Sequence, residues 1–355
     1  MLEGRSYVPL IYLRQSEMQG LENLPSATKS LIVPVVRIRP WLSSKSLSKS
    51  AERVQKAMGD RRFGFDLDDS KKGRGDSGAQ LEFDELFEGA DGWRRYYEHL
   101  LAIQNAVPVL RSKAAGEQLE VELGRVNALE RGLFVRIEVG SQPPLRPILE
   151  TISMMGVENV AYILDCGWRA HLLPYQAQCV SILRTLVNLS PNSEFVVAGG
   201  DFPQDGFDKK GKHFTIEGEE RALVQAVRRE INEAKVIFGD WASARPPKVD
   251  NEIRRNRPRI DLPTRVGWEC WRLAIPGKSY QNIAQDACDS RGLGDSSDFW
   301  GNQMIIATAA DAGAAQIRSP NVAAAVRINL HMLLQAHYDA GGGVQLGDEL
   351  VSGEL

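Results

Sequence analysis

Cysteine is scarce in this sequence: Cys166, Cys179, Cys270 and Cys288 are the only four in 355 residues, and no two form a CxxC step. That spacing argues against a disulfide-stapled fold, a zinc knuckle or a thioredoxin-type centre. The thiols are read as free, and the protein as cytoplasmic. Long apolar runs are missing as well. No segment approaches the roughly 18–20 residues of a membrane span, and Pro9 cuts the apolar opening short of a leader. Neither sign of charge dominates, with 43 basic residues against 46 acidic ones. This removes the overall electrostatic case for an extended nucleic-acid or anionic-membrane surface. The sequence has no HExxH, no zinc-deaminase signature and no GxSxG, which disfavours zincins, zinc deaminases and α/β-hydrolases.

What is present is alternation. Hydrophobic residues at 43% and charged residues at 25% match a globular chain that can bury a sizeable core. β-type runs occur at 7–13, 31–38, 61–67, 106–110, 133–139, 159–165, 194–198 and 235–238. Helical apolar spacing recurs between them, at 46–58, 93–105, 116–128, 145–155, 175–189 and 217–233. Continuous apolar runs such as LIVPVV and VAYIL suit strands covered on both faces, as in a parallel sheet. The pattern predicts a (β/α)8 TIM-like barrel over 1–245, with an open doubly wound sheet as the rival. No phosphate-binding glycine fingerprint follows the first strand, and KKGRGDSG at 71–78 reads as a surface loop. A C-terminal elaboration packed on the barrel is expected over 246–340. It comprises a proline- and arginine-rich stretch at 245–263, a strand at 264–273, a helix at 280–290 and an amphipathic helix at 321–338. The tail, 341–355, is expected to be frayed.

In such a barrel the chemistry sits at the C-terminal ends of the strands. Asp66, Asp68, Glu138, Asp165, Asp201 and Asp240 all fall there, accompanied by Arg14, Arg37, Arg39, Arg111 and Arg136. Carboxylates converging from separate strands hold Mg²⁺ or Mn²⁺ through oxygen, and arginine grips phosphate as a fork. On that reading Asp165 and Asp240 are metal ligands, while Glu138, Asp165, Asp240 and His331 form the catalytic set. Arg37, Arg39, Arg111, Asp201 and Trp241 then bind substrate. Glu138 and Asp240 would also serve as an acid and base pair for a glycoside, and the same residues would equally form salt bridges that close the mouth. The run RRNRPR is the local feature that favours nucleic acid, through phosphate contacts from Arg254, Arg255, Arg257 and Arg259. A solvated loop is the competing reading.

Several stretches resemble the beta family of bacterial proteins, typified by a phage T4 beta protein. They are YVPLIYLRQSEMQGLENL at 7–24, LIVPVVRI at 31–38, FGDWASARPP at 238–247, SDFWGNQMI at 297–305 and VRINLHM at 326–332. In the last, Leu330 stands where the family's pattern has the first of two histidines, so a histidine pair is not available. The resemblance implies a barrel-like fold and an association with phage defence, but no established activity, cofactor or catalytic residue. Two functions follow from these readings. One is a metal-dependent phosphodiesterase or nuclease in antiviral defence. The other is a non-catalytic barrel that recognises a phage protein or scaffolds a defence complex.

Overall fold

Eleven strands form in a computed structural model of the chain, which describes residues 1–141, 145–203, 213–244, 258–272, 279–293 and 298–339. In chain order they are β1 (Tyr7–Tyr12), β2 (Val35–Ile38), β3 (Phe63–Leu67), β4 (Ala106–Pro108), β5 (Leu133–Glu138) and β6 (Val160–Trp168). These are followed by β7 (Glu194–Gly200), β8 (His213–Glu217), β9 (Val236–Asp240), β10 (Arg259–Thr264) and β11 (Gly267–Arg272). Eight of them pair in parallel in the order β4-β3-β2-β1-β9-β7-β6-β5. A parallel bridge between Val109 and Phe134 brings the two edge strands together. With helices around the outside, the result is a nearly closed (β/α)8 barrel, and each run expected to be a strand contains one. Pro34 shortens the second: it supplies no N–H to the ladder, and β2 begins one residue later.

Alternation along the strands produces two cores. Val8, Leu10, Val35, Val107, Phe134, Ala161, Ile163, Val196 and Ile237 meet inside the barrel. Ile11, Val36, Phe65, Val135, Tyr162, Val197 and Phe238, on the opposite faces, pack against the helices. Phe134 fills the interior because Gly64 leaves it room: a Cβ at Gly64 would lie 2.8 Å from Val35 and 3.1 Å from the Phe134 ring.

The second sheet, in order β10-β11-β8, is antiparallel. The sequence reading missed β8, because HFTIE lies beside a strong helical pattern. Its Phe214 and Ile216 pack against Phe202, Trp268 and Cys270. β10 lies at an edge, where Pro263 is tolerated. The segment 71–78 is not loop throughout: Ser77 accepts a hydrogen bond from the Gln80 amide at 3.2 Å and caps a helix, Gly78–Glu85.

The final helix, Pro320–Ala336, differs from the expected amphipathic one, since every residue from Ala325 to Ala336 is buried. It packs on the helix Gln15–Glu22 at Gly20, where Asn329 Nδ2 donates to the Gly20 carbonyl at 2.9 Å. Among the described residues no helix is long and apolar enough to cross a membrane. All four cysteines are free thiols.

Candidate functional site

The period of two decides which strand-end residues share a chamber. On β5, Phe134 points inward, so Arg136 and Glu138 do too; on β6, Ile163 carries Asp165 inward. By the same alternation Arg37, Asp66 and Trp241 belong to the inner face. Asp240 lies one residue from inward-facing Trp241 and two from outward-facing Phe238, so it belongs to the layer between barrel and helices.

The inner mouth is a network of arginines and acids. Asp66, 1% exposed, accepts from Arg111 Nη1 at 2.9 Å and Arg136 Nε at 3.1 Å, with Arg37 Nε at 3.6 Å. Burial by itself would raise the Asp66 carboxyl, but Arg136, Arg37 and Arg111 outweigh it and hold it below its ordinary value. Arg136 also reaches Asp165 at 2.9 Å and Glu138 at 3.2 Å. Asp165 accepts further from Trp241 Nε1 at 3.0 Å and the Gly167 amide at 2.8 Å. Arg39 pairs with Asp68. Trp241 stacks on Tyr12 at 5.3 Å, and the guanidinium groups of Arg14 and Arg39 lie 4.4 and 5.1 Å from the centroid of the Tyr12 ring.

Asp69 and Glu138 are the exposed acids of this network, and Asp69, with its side chain 52% exposed, bridges two arginines, Arg37 at 2.8 Å and Arg111 at 3.0 Å. Beside it lie two cavities. One, of about 470 Å³, is lined by Asp66, Arg111, Lys113, Arg136, Glu138 and the apolar Leu149. The other, of about 640 Å³, is lined by Lys72, Phe87, Trp93, Arg111 and Lys113. Asp69, Arg111, Ser112 and Lys113 are common to both.

Behind the wall lies a second polar cluster. Tyr7 donates to Oδ1 of Asp240, and the Ala242 amide donates to the same oxygen at 2.6 Å. Nε2 of His331 lies 2.6 Å from Oδ2 of Asp240, and the imidazole stacks on Trp268 at 5.0 Å. Glu220 belongs to this group: one oxygen each from Glu220 and Asp240 and one nitrogen of His331 lie within 4.8 Å of one another. Asp201 adjoins it, with its amide donating to Glu220 at 3.2 Å and its carboxylate accepting from the Glu219 amide. Burial first, then Asp201 and Asp240, push the Glu220 carboxyl well above its ordinary value.

The structure therefore divides the residues expected to act together. Glu138, Asp165, Arg37, Arg39, Arg111 and Trp241 surround the mouth, whereas Asp240, Asp201 and His331 lie behind β9 and β7. Asp165 and Asp240, expected to share one metal, face opposite sides of the wall and are not brought together. Asp240 and His331, both in the expected catalytic set, do meet. Sequence reasoning missed Asp69, Lys113, Glu220 and Tyr7. The one available signal was for Glu220, an acid in the first turn of the helix expected over 217–233. Arg254, Arg255 and Arg257 lie outside the described residues. Arg259 is on β10, 3.2 Å from Asp261.

The Beta protein family profile matches residues 7–337. The chain belongs to the Beta protein family. It is 24% identical over 341 residues to "Protein beta" of Enterobacteria phage P4, which covers 93% of this chain and 92% of that protein. The phage of this relative is P4, which corrects the T4 of the sequence reading.

Proposed function

We propose that this beta-family protein is a phage-associated recognition barrel that binds a phosphate-bearing ligand at its mouth, in the bacterial cytoplasm, as part of antiviral defence. The observation that carries the reading is the Asp69 carboxylate held between Arg37 and Arg111. Two guanidinium groups converge on one exposed, exchangeable anion, and a phosphate offers the same paired oxygens with more charge. Arg111 and Lys113 form the ridge shared by both cavities. Each cavity falls in the size range of roughly 300–1,000 Å³ typical of small-ligand sites.

Recognition is favoured over metal-assisted hydrolysis in the mouth because the acids there are matched by arginine. Asp66 has three, Asp69 two, and Asp68, Asp165 and Glu138 one each. A divalent ion recruited to these carboxylates would have to displace guanidinium groups already bound to them. The phage P4 relative supports the phage association, and four free thiols suit a reducing compartment.

The test is equilibrium dialysis with inorganic phosphate, ATP and short single-stranded oligonucleotides, with and without Mg²⁺ or Mn²⁺. We expect binding without turnover, weakened at least tenfold by Arg111→Ala or Arg37→Ala, which corresponds to about 1.4 kcal/mol or more. Metal-dependent cleavage that Glu138→Gln removes would replace this reading with the phosphodiesterase. Protection of cells against phage challenge, lost with Arg111→Ala, tests the defence role separately.

A further inference from the structure

We infer that Glu220, Asp240 and His331 form a buried site for one divalent transition-metal ion, Zn²⁺ or Mn²⁺, which fastens the last helix to the barrel wall. The site is independent of the mouth. Its three residues come from three elements: Glu220 opens the helix Glu220–Glu230, Asp240 ends β9, and His331 is on the helix Pro320–Ala336. Their exposures are 7%, 0% and 2%.

Charge balance is the first argument. Each acid named at the inner mouth has an arginine, whereas among the described residues no arginine or lysine forms an ion pair with Asp201, Glu220 or Asp240; the ion pair there is His331 with Asp240. The nearest candidate in sequence, Arg221, is turned away. Its guanidinium binds Gln335 Oε1 at 2.6 Å and the Gln335 carbonyl at 2.9 Å, between the rings of Phe238 and Tyr338. Buried carboxylates this close require protons or a cation, and among the described residues the one cationic partner they have is an imidazole.

Ligand chemistry is the second. Two carboxylate oxygens and one imidazole nitrogen are a borderline-hard donor set that suits Zn²⁺ or Mn²⁺. Metal–ligand distances of roughly 2.0–2.2 Å call for ligand atoms about 3.4 Å apart in a tetrahedral site; the three ligand atoms lie within 4.8 Å of one another, and an ion between them would part His331 Nε2 from Asp240 Oδ2, now 2.6 Å apart. The outer groups are already arranged. Tyr7 and the Ala242 amide occupy Oδ1 of Asp240, which leaves Oδ2 toward the cluster, and the Asp201 amide binds Glu220. Asp240 holds the His331 ring through Nε2, and Nδ1 is enclosed with no partner among the described residues.

The test uses the full chain without a polyhistidine tag, stripped with EDTA, dialysed against Zn²⁺ or Mn²⁺ and desalted before elemental analysis. We expect one ion per chain in the wild type and a higher melting temperature than the stripped protein. His331→Gln and Asp240→Asn, where circular dichroism shows them folded, should retain less than about a tenth as much metal. If neither variant folds, Co²⁺ loaded into the wild type should give the visible absorption of a histidine and carboxylate site. Less than a tenth of an ion of either metal in the wild type, full retention by both folded variants, or a hexaaquo-like Co²⁺ spectrum overturns the site.

Discussion

Arg136 Nε lies 3.1 Å from Oδ2 of Asp66, joining β5 to β3 across the shortest strand of the barrel, β4. That is where the wall closes, through the Val109–Phe134 bridge and a hydrogen bond from the Leu110 amide to the Phe134 carbonyl at 2.8 Å. The ion network is therefore a clasp over the seam. It supplies from side chains the connection that a three-residue strand ending in Pro108 supplies poorly from its backbone.

If the clasp holds the seam, Asp66→Ala should be far more damaging than a single lost ion pair. It leaves Arg111 and Arg136 buried without their shared partner, a change of about 3–5 kcal/mol. Urea denaturation should show the midpoint falling with little change in slope. Asp66→Leu combined with Arg136→Met should recover only part of the loss, because Arg37 and Arg111 keep Asp69 while Asp165 and Glu138 lose the arginine they share. A double variant as unstable as the sum of the singles would show that the pair does not act as a unit.

The same carboxylate sets the response to acid. Arginines hold the folded-state value of Asp66 below its ordinary 3.8, so its contribution is fully present above that value and is lost as pH falls through the folded value. Wild type should lose stability through this group on acidification below about 3.8, while Asp66→Asn, already weaker at neutral pH, should show a shallower decline. Urea midpoints measured from pH 5 downward check this: the gap between the two proteins should narrow.

The barrel was legible because its signal is carried by composition and period. LIVPVV and VAYIL can be buried on both faces only in a covered parallel strand, and the helices between them are strongly patterned. Strand-end position was legible too, and it picked out Glu138, Asp165 and Asp240. What could not be read was the chamber each residue enters. One step past the end of β9, from Asp240 to Trp241, moves a side chain from the helix layer to the barrel interior, and a sequence-based strand end is uncertain by more than that step. The Asp240–His331 contact joins residues 91 positions apart, and no local spacing records it. The small sheet was half hidden for another reason: β8 is inserted between β7 and the following helix, while its partners come from the segment after the barrel.

Two helical glycines should respond in opposite directions. At Gly20 a Cβ would lie 2.9 Å from the Ala325 carbonyl oxygen and 3.2 Å from the Asn329 amide nitrogen, both backbone atoms of the last helix. Gly20→Ala must push that helix outward and should destabilise by about 1–3 kcal/mol. Gly124, within the helix Glu117–Leu129, has nothing within 4 Å of an added Cβ. Gly124→Ala should stabilise by about 0.5–1 kcal/mol, because alanine restricts the unfolded chain and favours helix. Thermal and urea unfolding of the two variants beside wild type measure both signs.

Trp241 tests whether the mouth is held by shape or by hydrogen bonding. Its ring is stacked on Tyr12, and its indole N–H is one of three donors that fix Asp165, with Arg136 and the Gly167 amide. Trp241→Phe keeps an aromatic face against Tyr12 but removes the donor and some volume. A smaller ring in this interior should destabilise by about 1–3 kcal/mol, the lost packing adding to a missing hydrogen bond to a charged group. Asp165 retains Arg136, so its carboxylate stays paired and the barrel should remain folded. Crystallography or near-ultraviolet circular dichroism of the variant should show Tyr12 in place. If phosphate or ATP binds the variant as it binds wild type, Trp241 positions the wall and does not contact the ligand; a tenfold loss, about 1.4 kcal/mol, would make it part of the ligand surface.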